Sequence, residues 1–327
     1  MKIGTIGTNF IVDRFIDAAK QVNNVEIIAV YSRSQESADA FAEKHDVGKA
    51  YCDLKAMMND EEIDTIYVAS PNSLHYEHSL MALHHGKHVI NEKPFASNLK
   101  EFDRLVEEAT TRNLMLWEAI TSIYTPNLNI IQDNLDECGD IKLVTCNFSQ
   151  YSSRYQAYKE GQNPNVFTTE FSGGALMDIN IYNVHFAMYL FGKPNHYRYY
   201  PNLGANGIDT SGVLIFEYDD FIATLIGSKD SDSKNFATIQ GDAGAIIMDD
   251  TSIGVCSNAA FRTNKGELKN LGLHQADHMT YEINAFEKML ASEDYDTCYE
   301  LLDYSREVVE VLEKARKDAG IFFKADE

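Results

Sequence analysis

Lys2-Ile3-Gly4-Thr5-Ile6-Gly7-Thr8-Asn9-Phe10-Ile11-Val12 opens the chain with a β-rich run, a glycine turn and the start of an apolar helical pattern. Phe10, Ile11, Phe15, Ile16, Ala19 and Val22 recur at helical spacing and predict one apolar helix face. A second β-rich run at 25–31 follows, so the opening reads as a βαβ unit. Strand, turn and helix in this order suit dinucleotide binding, because the turn aims backbone amides and the positive helix end at a pyrophosphate. Gly7, Thr8, Asn9, Phe10 and Ile11 are the candidate contacts. With Gly7 as the first fingerprint glycine, Asn9 stands at the second and Val12 at the third. Asn tolerates positive φ better than most residues with a side chain, so the turn is expected to survive at Asn9.

Working outward, β-rich runs at 65–69, 88–90 and 114–117 alternate with amphipathic segments, the mark of a parallel sheet covered on both faces. After Pro126 the pattern changes. A helix to about residue 137 precedes strands at 142–149, 212–217, 221–227, 237–240 and 245–248, with an Asp219-Asp220 turn between two of them. Two acidic helices, at 279–290 and 296–317, close the chain. The expected fold class is α/β: an N-terminal, doubly wound Rossmann parallel sheet over 1–122, then a C-terminal α+β domain over 123–327 with a large, mainly antiparallel open sheet.

The chain has 327 residues, 44% of them apolar, which fits two globular domains. A formal net charge of -22 argues against a nucleic-acid or anionic-membrane partner, since both demand a basic surface. The five cysteines are odd in number, far apart and never spaced C-x-x-C, so they read as reduced thiols. With no apolar stretch of membrane-spanning length and a strand beginning at once, a cytoplasmic location is expected. His78, His84, His85 and His88 lack companion ligands in a metal-binding pattern, and no metal is expected.

Tyr31-Ser32-Arg33-Ser34 ends the second strand without the carboxylate that an NAD-specific site uses for the ribose hydroxyls. Arg33 can stack on adenine and pair with a 2′-phosphate, while Ser32 and Ser34 offer hydroxyls. NADP(H) is therefore the preferred cofactor, with NAD(H) second. The plainer alternative makes Ser34 a helix cap and Arg33 a solvated charge. Ser70-Pro71-Asn72-Ser73-Leu74-His75 follows the third of these strands at the carboxyl edge, where ligands bind. Ser70, Pro71, Asn72 and His75 are cofactor-contact candidates, and His75 reads equally well as an interior histidine satisfied by backbone.

Asn91-Glu92-Lys93-Pro94 after the next strand resembles the signature of the Gfo/Idh/MocA family, the glucose-fructose oxidoreductase and inositol dehydrogenase group. The resemblance implies that Lys93 reaches the nicotinamide and substrate, that Glu92 lines the cofactor site, and that the peptide before Pro94 is cis. A second block, Phe167-Thr168-Thr169-Glu170-Phe171-Ser172-Gly173-Gly174-Ala175-Leu176-Met177-Asp178-Ile179-Asn180-Ile181-Tyr182-Asn183-Val184-His185, resembles the family's catalytic helix, most closely in the dimeric dihydrodiol dehydrogenase branch. Trp117-Glu118-Ala119 resembles the same branch and makes Trp117 a substrate-binding candidate. Two positions depart from the pattern: Asn180 replaces a glycine, and Ile123 replaces an arginine before the Tyr-x-Pro segment. The resemblance also implies a homodimer or homotetramer through the open face of the C-terminal sheet.

Asp178, Tyr182 and His185 follow i, i+4, i+7 spacing, so one substrate could touch all three. Hydride transfer at a carbinol needs a group that takes the hydroxyl proton, and the reverse reaction needs it returned. Tyr182 is the expected acid/base, with Lys93 lowering its pKa or carrying the proton itself. Asp178 and His185 are expected to position a small polyhydroxylated substrate. An NADP(H)-dependent oxidoreductase acting on a sugar, polyol or dihydrodiol-like compound is the leading reading. A non-catalytic NAD(P)-binding regulator of the same fold, and redox-assisted glycoside cleavage, are its alternatives.

Overall fold

The computed structural model describes residues 1–249, 253–272 and 277–327. Two compact units form, Met1–Ala119 with Met279–Val309 and Ile120–His278 with Glu310–Glu327.

In the first unit the elements alternate: β1 Lys2–Ile6, α1 Phe10–Ala19, β2 Glu26–Tyr31, α2 Gln35–His45, β3 Lys49–Tyr51, α3 Leu54–Met58, β4 Thr65–Val68, α4 His75–His84, β5 His88–Glu92, α5 Leu99–Thr111 and β6 Leu116–Ala119. The six strands are parallel in the order β3-β2-β1-β4-β5-β6. Strand order reverses between β1 and β4, and the crevice outside the carboxyl ends there is where such sheets take ligands. Every residue of β4 is buried, as expected of a strand covered on both faces. Phe15 of α1 stacks on Tyr67 of β4 with ring centroids 3.7 Å apart, which fixes the first helix over the switch point.

The helices α10 His278–Ala291 and α11 Tyr295–Asp318 were expected in the second domain, yet Met279–Val309 packs with the first unit. Phe286 stacks on Trp117 at 5.2 Å, Ser305 donates a hydrogen bond to the Glu118 carboxylate, and Arg306 pairs with Asp103 through two bonds. The β6 edge and α5 thus acquire their cover from the far end of the chain. Amphipathicity specified the helices but not the surface they cover.

The second unit contains α6 Thr121–Tyr124, α7 Pro126–Asp133, β7 Ile141–Ser149, α8 Tyr155–Lys159, α9 Ile181–Phe191, β8 His196–Leu203, β9 Asp209–Glu217, β10 Ile222–Ser228, β11 Phe236–Gly241, β12 Gly244–Asp249, β13 Ala259–Thr263 and β14 Leu268–Asn270. Its eight strands run β14-β13-β12-β11-β7-β10-β9-β8, antiparallel except for the β7–β10 pair. One face is apolar and buried through Val144, Cys146, Leu214, Phe216, Ala223 and Leu225. The other face is partly exposed along Thr145, Thr224, Val213 and Ile215, so the strands alternate with period two. No helix among the described residues is long and apolar enough to cross a membrane.

Candidate functional site

Four loops of the first unit leave the carboxyl edge of its sheet, and each carries part of the candidate cofactor site. Gly7 ends the first strand with φ +117°, and a Cβ there would come within 2.8 Å of the Ala69 carbonyl oxygen. Only glycine lets the β1–α1 turn cross β4 this closely. The left-handed torsion expected at Asn9 is absent: Asn9 is extended, with φ -89°, and caps α1. Its Oδ1 accepts from the amides of Ile11 at 3.1 Å and Val12 at 3.4 Å, and its Nδ2 donates to Ala69 at 3.1 Å. A capping side chain therefore replaces the second glycine. Thr8 is partly exposed and Phe10, at 71%, is the most exposed large apolar side chain of this turn.

After β2, Ser32 is half-buried and Arg33 and Ser34 are exposed. Ser34 caps α2 by accepting from the Ser37 amide at 3.3 Å, leaving the Arg33 guanidinium as the cation presented at this strand end. After β4, Ser70, Pro71 and Asn72 are partly exposed, whereas His75 is buried. Its Nδ1 lies 2.9 Å from the Pro94 carbonyl and its Nε2 2.9 Å from the Ser70 carbonyl. Burial pushes its pKa down to about 4, although both carbonyl oxygens favour the charged ring. His75 is thus a neutral interior strut, the second of the two readings open from sequence.

Beyond β5 the Lys93–Pro94 peptide is cis. The loop is held by His75, by Asn91 Nδ2 donating to the Phe95 carbonyl at 2.5 Å, and by Glu92 accepting from the Lys93 amide at 3.2 Å. Glu92 is buried, accepts from Tyr67 Oη at 2.6 Å, and has its pKa raised by desolvation. It braces the loop from inside. Lys93 itself stays partly exposed at the strand end. Trp117, expected at the substrate, is 1% exposed and stacked on Phe286, so its ring packs the interior of this unit.

A glycine turn in the second unit begins the candidate substrate helix. Gly174 has φ +101°, and a Cβ there would collide with Asp209 Oδ1. Asp209 approaches because its Oδ2 accepts from the Leu176 amide and from Tyr199 Oη, each at 2.7 Å. Burial raises the pKa of this carboxyl, and that of the Tyr199 phenol well above its ordinary value. The helix enters through a π turn, Leu176–Asn180, before α9 proper, a feature common at functional sites.

From Ala175 to Leu190, Asp178, Tyr182 and Tyr189 are the residues left partly exposed, and they share one stripe. His185 is fully buried. The Tyr182 ring meets Phe148 of β7 at 5.6 Å between centroids. The Asp178 carboxylate pairs with Lys229, which follows β10. Asn180 donates to the Leu225 carbonyl at 3.2 Å, and Asn183 donates to Asn180 Oδ1 at 2.7 Å and to the Ile226 carbonyl at 2.9 Å. At the position where glycine was expected, Asn180 therefore stitches the π turn to β10. Ile123 lies buried in α6.

Sequence reasoning missed Asp209 and Lys229, because both act through residues distant in the chain and stand in ordinary strand-end composition. Among the described residues no cluster of three His, Cys, Asp or Glu is placed to hold a metal. The cysteines are unpaired. A close-approach glycine turn, a helix N-terminus and an exposed guanidinium on one sheet edge fit a phosphorylated dinucleotide.

The model described as an oxidoreductase family with an NAD-binding Rossmann fold matches residues 1–120, and the GFO/IDH/MocA C-terminal domain model matches 134–247. A scyllo-inositol 2-dehydrogenase (NADP(+)), IolU of Bacillus subtilis (strain 168), is 36% identical over 100% of this chain and 99% of its own. A trans-1,2-dihydrobenzene-1,2-diol dehydrogenase of Xenopus tropicalis is 27% identical over 91% of each chain. KijD10, a 3-ketoreductase from Actinomadura kijaniata crystallised with NADP and TDP-benzene, superposes with a TM-score of 0.86 at 22% identity, covering 97% of both chains. That last likeness concerns the fold.

Proposed function

The chain belongs to the Gfo/Idh/MocA family of NAD(P)-dependent oxidoreductases, and on that premise we propose that it interconverts a hydroxyl and a carbonyl group on a sugar, polyol or dihydrodiol-like molecule, with NADP(H) as its preferred cofactor. The observation that carries this reading is the carboxyl edge of the first sheet. There the Gly7 turn, the exposed Arg33 and the partly exposed Lys93 follow β1, β2 and β5 of one parallel sheet, on either side of the switch point between β1 and β4. When bound, NADP(H) supplies or takes the hydride.

The chain's own residues do the rest. The β1–α1 turn, Thr8 and the start of α1 hold the pyrophosphate, Ser32 and Arg33 hold the 2′-phosphate, and Ser70 to Asn72 line the nucleotide from β4. Asn9 contributes by fixing the turn and His75 by fixing the Lys93 loop. Lys93 and Tyr182 are the groups that exchange a proton with the reacting oxygen. Asp178 accepts a hydrogen bond from a substrate hydroxyl, and His185 orders the helix from its buried side. The named substrates of the two curated relatives, an inositol and a 1,2-diol, both favour a molecule with adjacent hydroxyls.

The test is a screen of aldoses, cyclic polyols and diols with NADP, and of the matching ketones with NADPH, followed by nicotinamide absorbance. Stoichiometric cofactor turnover is expected with at least one member. Tight NADPH binding with no turnover across the screen would favour the regulator instead. Unpaired cysteines fit a reducing, cytoplasmic setting. The open face of the second sheet, where Leu143 and Ile222 are 48% and 45% exposed, is the proposed interface between copies in a dimer or tetramer. Sedimentation at micromolar concentration showing monomer alone would reject that assembly.

A further inference from the structure

Lys229 is placed unlike an ordinary surface lysine. It follows the last residue of β10, and its side chain is 10% exposed. Its backbone is held on both sides, the amide donating to the Thr210 carbonyl and the carbonyl accepting from the Ser152 amide, each at 2.9 Å. The loop therefore closes without help from the ammonium. Among the described residues, Asp178 is the one hydrogen-bond partner of that ammonium, which also stands 5.9 Å from the Phe167 ring centroid.

An ammonium carries three N–H donors, and a nearly buried one normally uses them. One donor goes to Asp178. An ion pair largely withdrawn from water is also a weak stabilising device, since an apolar pair of similar volume is often as good or better. The place of this pair, with Asp178 one turn from Tyr182 on the stripe left partly open, points to a ligand. Asp178 offers only acceptors and Lys229 only donors, and the pair is net neutral. Such a pair complements two adjacent hydroxyls, one donating to the carboxylate and its neighbour accepting from the ammonium.

We infer that Lys229 is a substrate-positioning residue that, together with Asp178, selects a neutral molecule bearing two adjacent hydroxyls. This rests on the oxidoreductase reading above, and it adds a second recognition group that the sequence did not reveal. Lys229 acts here on binding geometry and takes no part in proton transfer.

The experiment crosses substrate deletion with residue deletion. With the polyol found in the screen, kcat/KM is measured for the parent compound and for each monodeoxy analogue, in wild type, K229M and K229R. In wild type, removing the hydroxyl held by Lys229 should lower kcat/KM by about tenfold or more, the range of a charge-assisted hydrogen bond. K229M should raise KM for the parent by a similar factor and erase discrimination at that one position. K229R should keep discrimination there, and NADPH affinity by fluorescence should be the same in all three. Unchanged discrimination in K229M would overturn the inference while leaving the functional reading intact. So would loss of the fold in both variants, since the loop closes through its backbone. Absence of wild-type turnover with every polyol, while NADPH still binds, would overturn the functional reading and this inference with it.

Discussion

His75 Nδ1 stands 2.9 Å from the carbonyl oxygen of Pro94, so one buried imidazole ties the loop after β4 to the loop that carries Lys93. The opposite nitrogen faces the Ser70 carbonyl at the same distance. A neutral ring has one N–H and can donate to one carbonyl at a time. The geometry would suit an imidazolium, but burial outweighs it and holds the pKa at about 4.

Because the folded pKa of His75 lies below its ordinary 6.5, the unfolded chain binds the extra proton between these values. Its contribution to stability is present in full above pH 6.5 and is lost as pH falls toward about 4. Denaturant unfolding of wild type and His75→Gln across that window should show a steeper loss in wild type, by up to about 1.4 kcal/mol per pH unit for one proton. Parallel curves would mean that His75 is already charged in the folded protein.

Lys93 is the partly exposed end of a loop braced by three buried neighbours, His75, Asn91 and Glu92. Lys93→Met should therefore fold normally and bind NADPH within a few-fold of wild type. Turnover should fall by about 100-fold or more, the usual scale for a proton-handling group. Near-normal turnover would remove Lys93 from the chemistry.

Tyr182→Phe deletes one oxygen and keeps the ring against Phe148, so the melting temperature should barely move. The rate should drop by about 100-fold, and the limb of the pH–rate profile that reports the phenol should vanish. Wild-type rate and pH profile together in this variant would assign the proton to Lys93 or to water.

Where apolar periodicity was strong, the sequence predicted elements well: β1, β4, β7 and β10 lie within a residue or two of the expected runs, while α1 ends at Ala19, before the expected Val22. Short or polar edge strands were invisible. Lys49–Tyr51 has three residues, and His196–Leu203 contains Pro201, tolerable because β8 is the last strand of its sheet. Local motifs brought Gly7, Lys93, Asp178 and Tyr182 into view. Side-chain work done across the fold did not show: Asn9 caps a helix instead of adopting positive φ, and Trp117 is consumed by packing. Lys229 meets Asp178 from 51 residues away, a separation that no local pattern reports.

Cofactor choice is the property that one exposed side chain should control. Arg33 stands at the end of β2, where NAD-specific sites place a carboxylate, and Ser34 beside it is already engaged in capping α2. A guanidinium pairing with a 2′-phosphate contributes about 1.5 to 3 kcal/mol as charge-assisted hydrogen bonding, or roughly tenfold to hundredfold in affinity. Wild type should therefore bind NADPH more tightly than NADH by that factor. Arg33→Asp should reverse the order, because the new carboxylate repels the 2′-phosphate and accepts from the ribose hydroxyls of NAD. Arg33 is solvent-exposed, so the wild-type preference should also shrink as salt is raised, through screening of the phosphate pair. Fluorescence titration of both cofactors against both proteins, at low and high salt, decides the matter. Equal or tighter NADPH binding by Arg33→Asp would place the phosphate on other residues and leave Arg33 as a solvated charge.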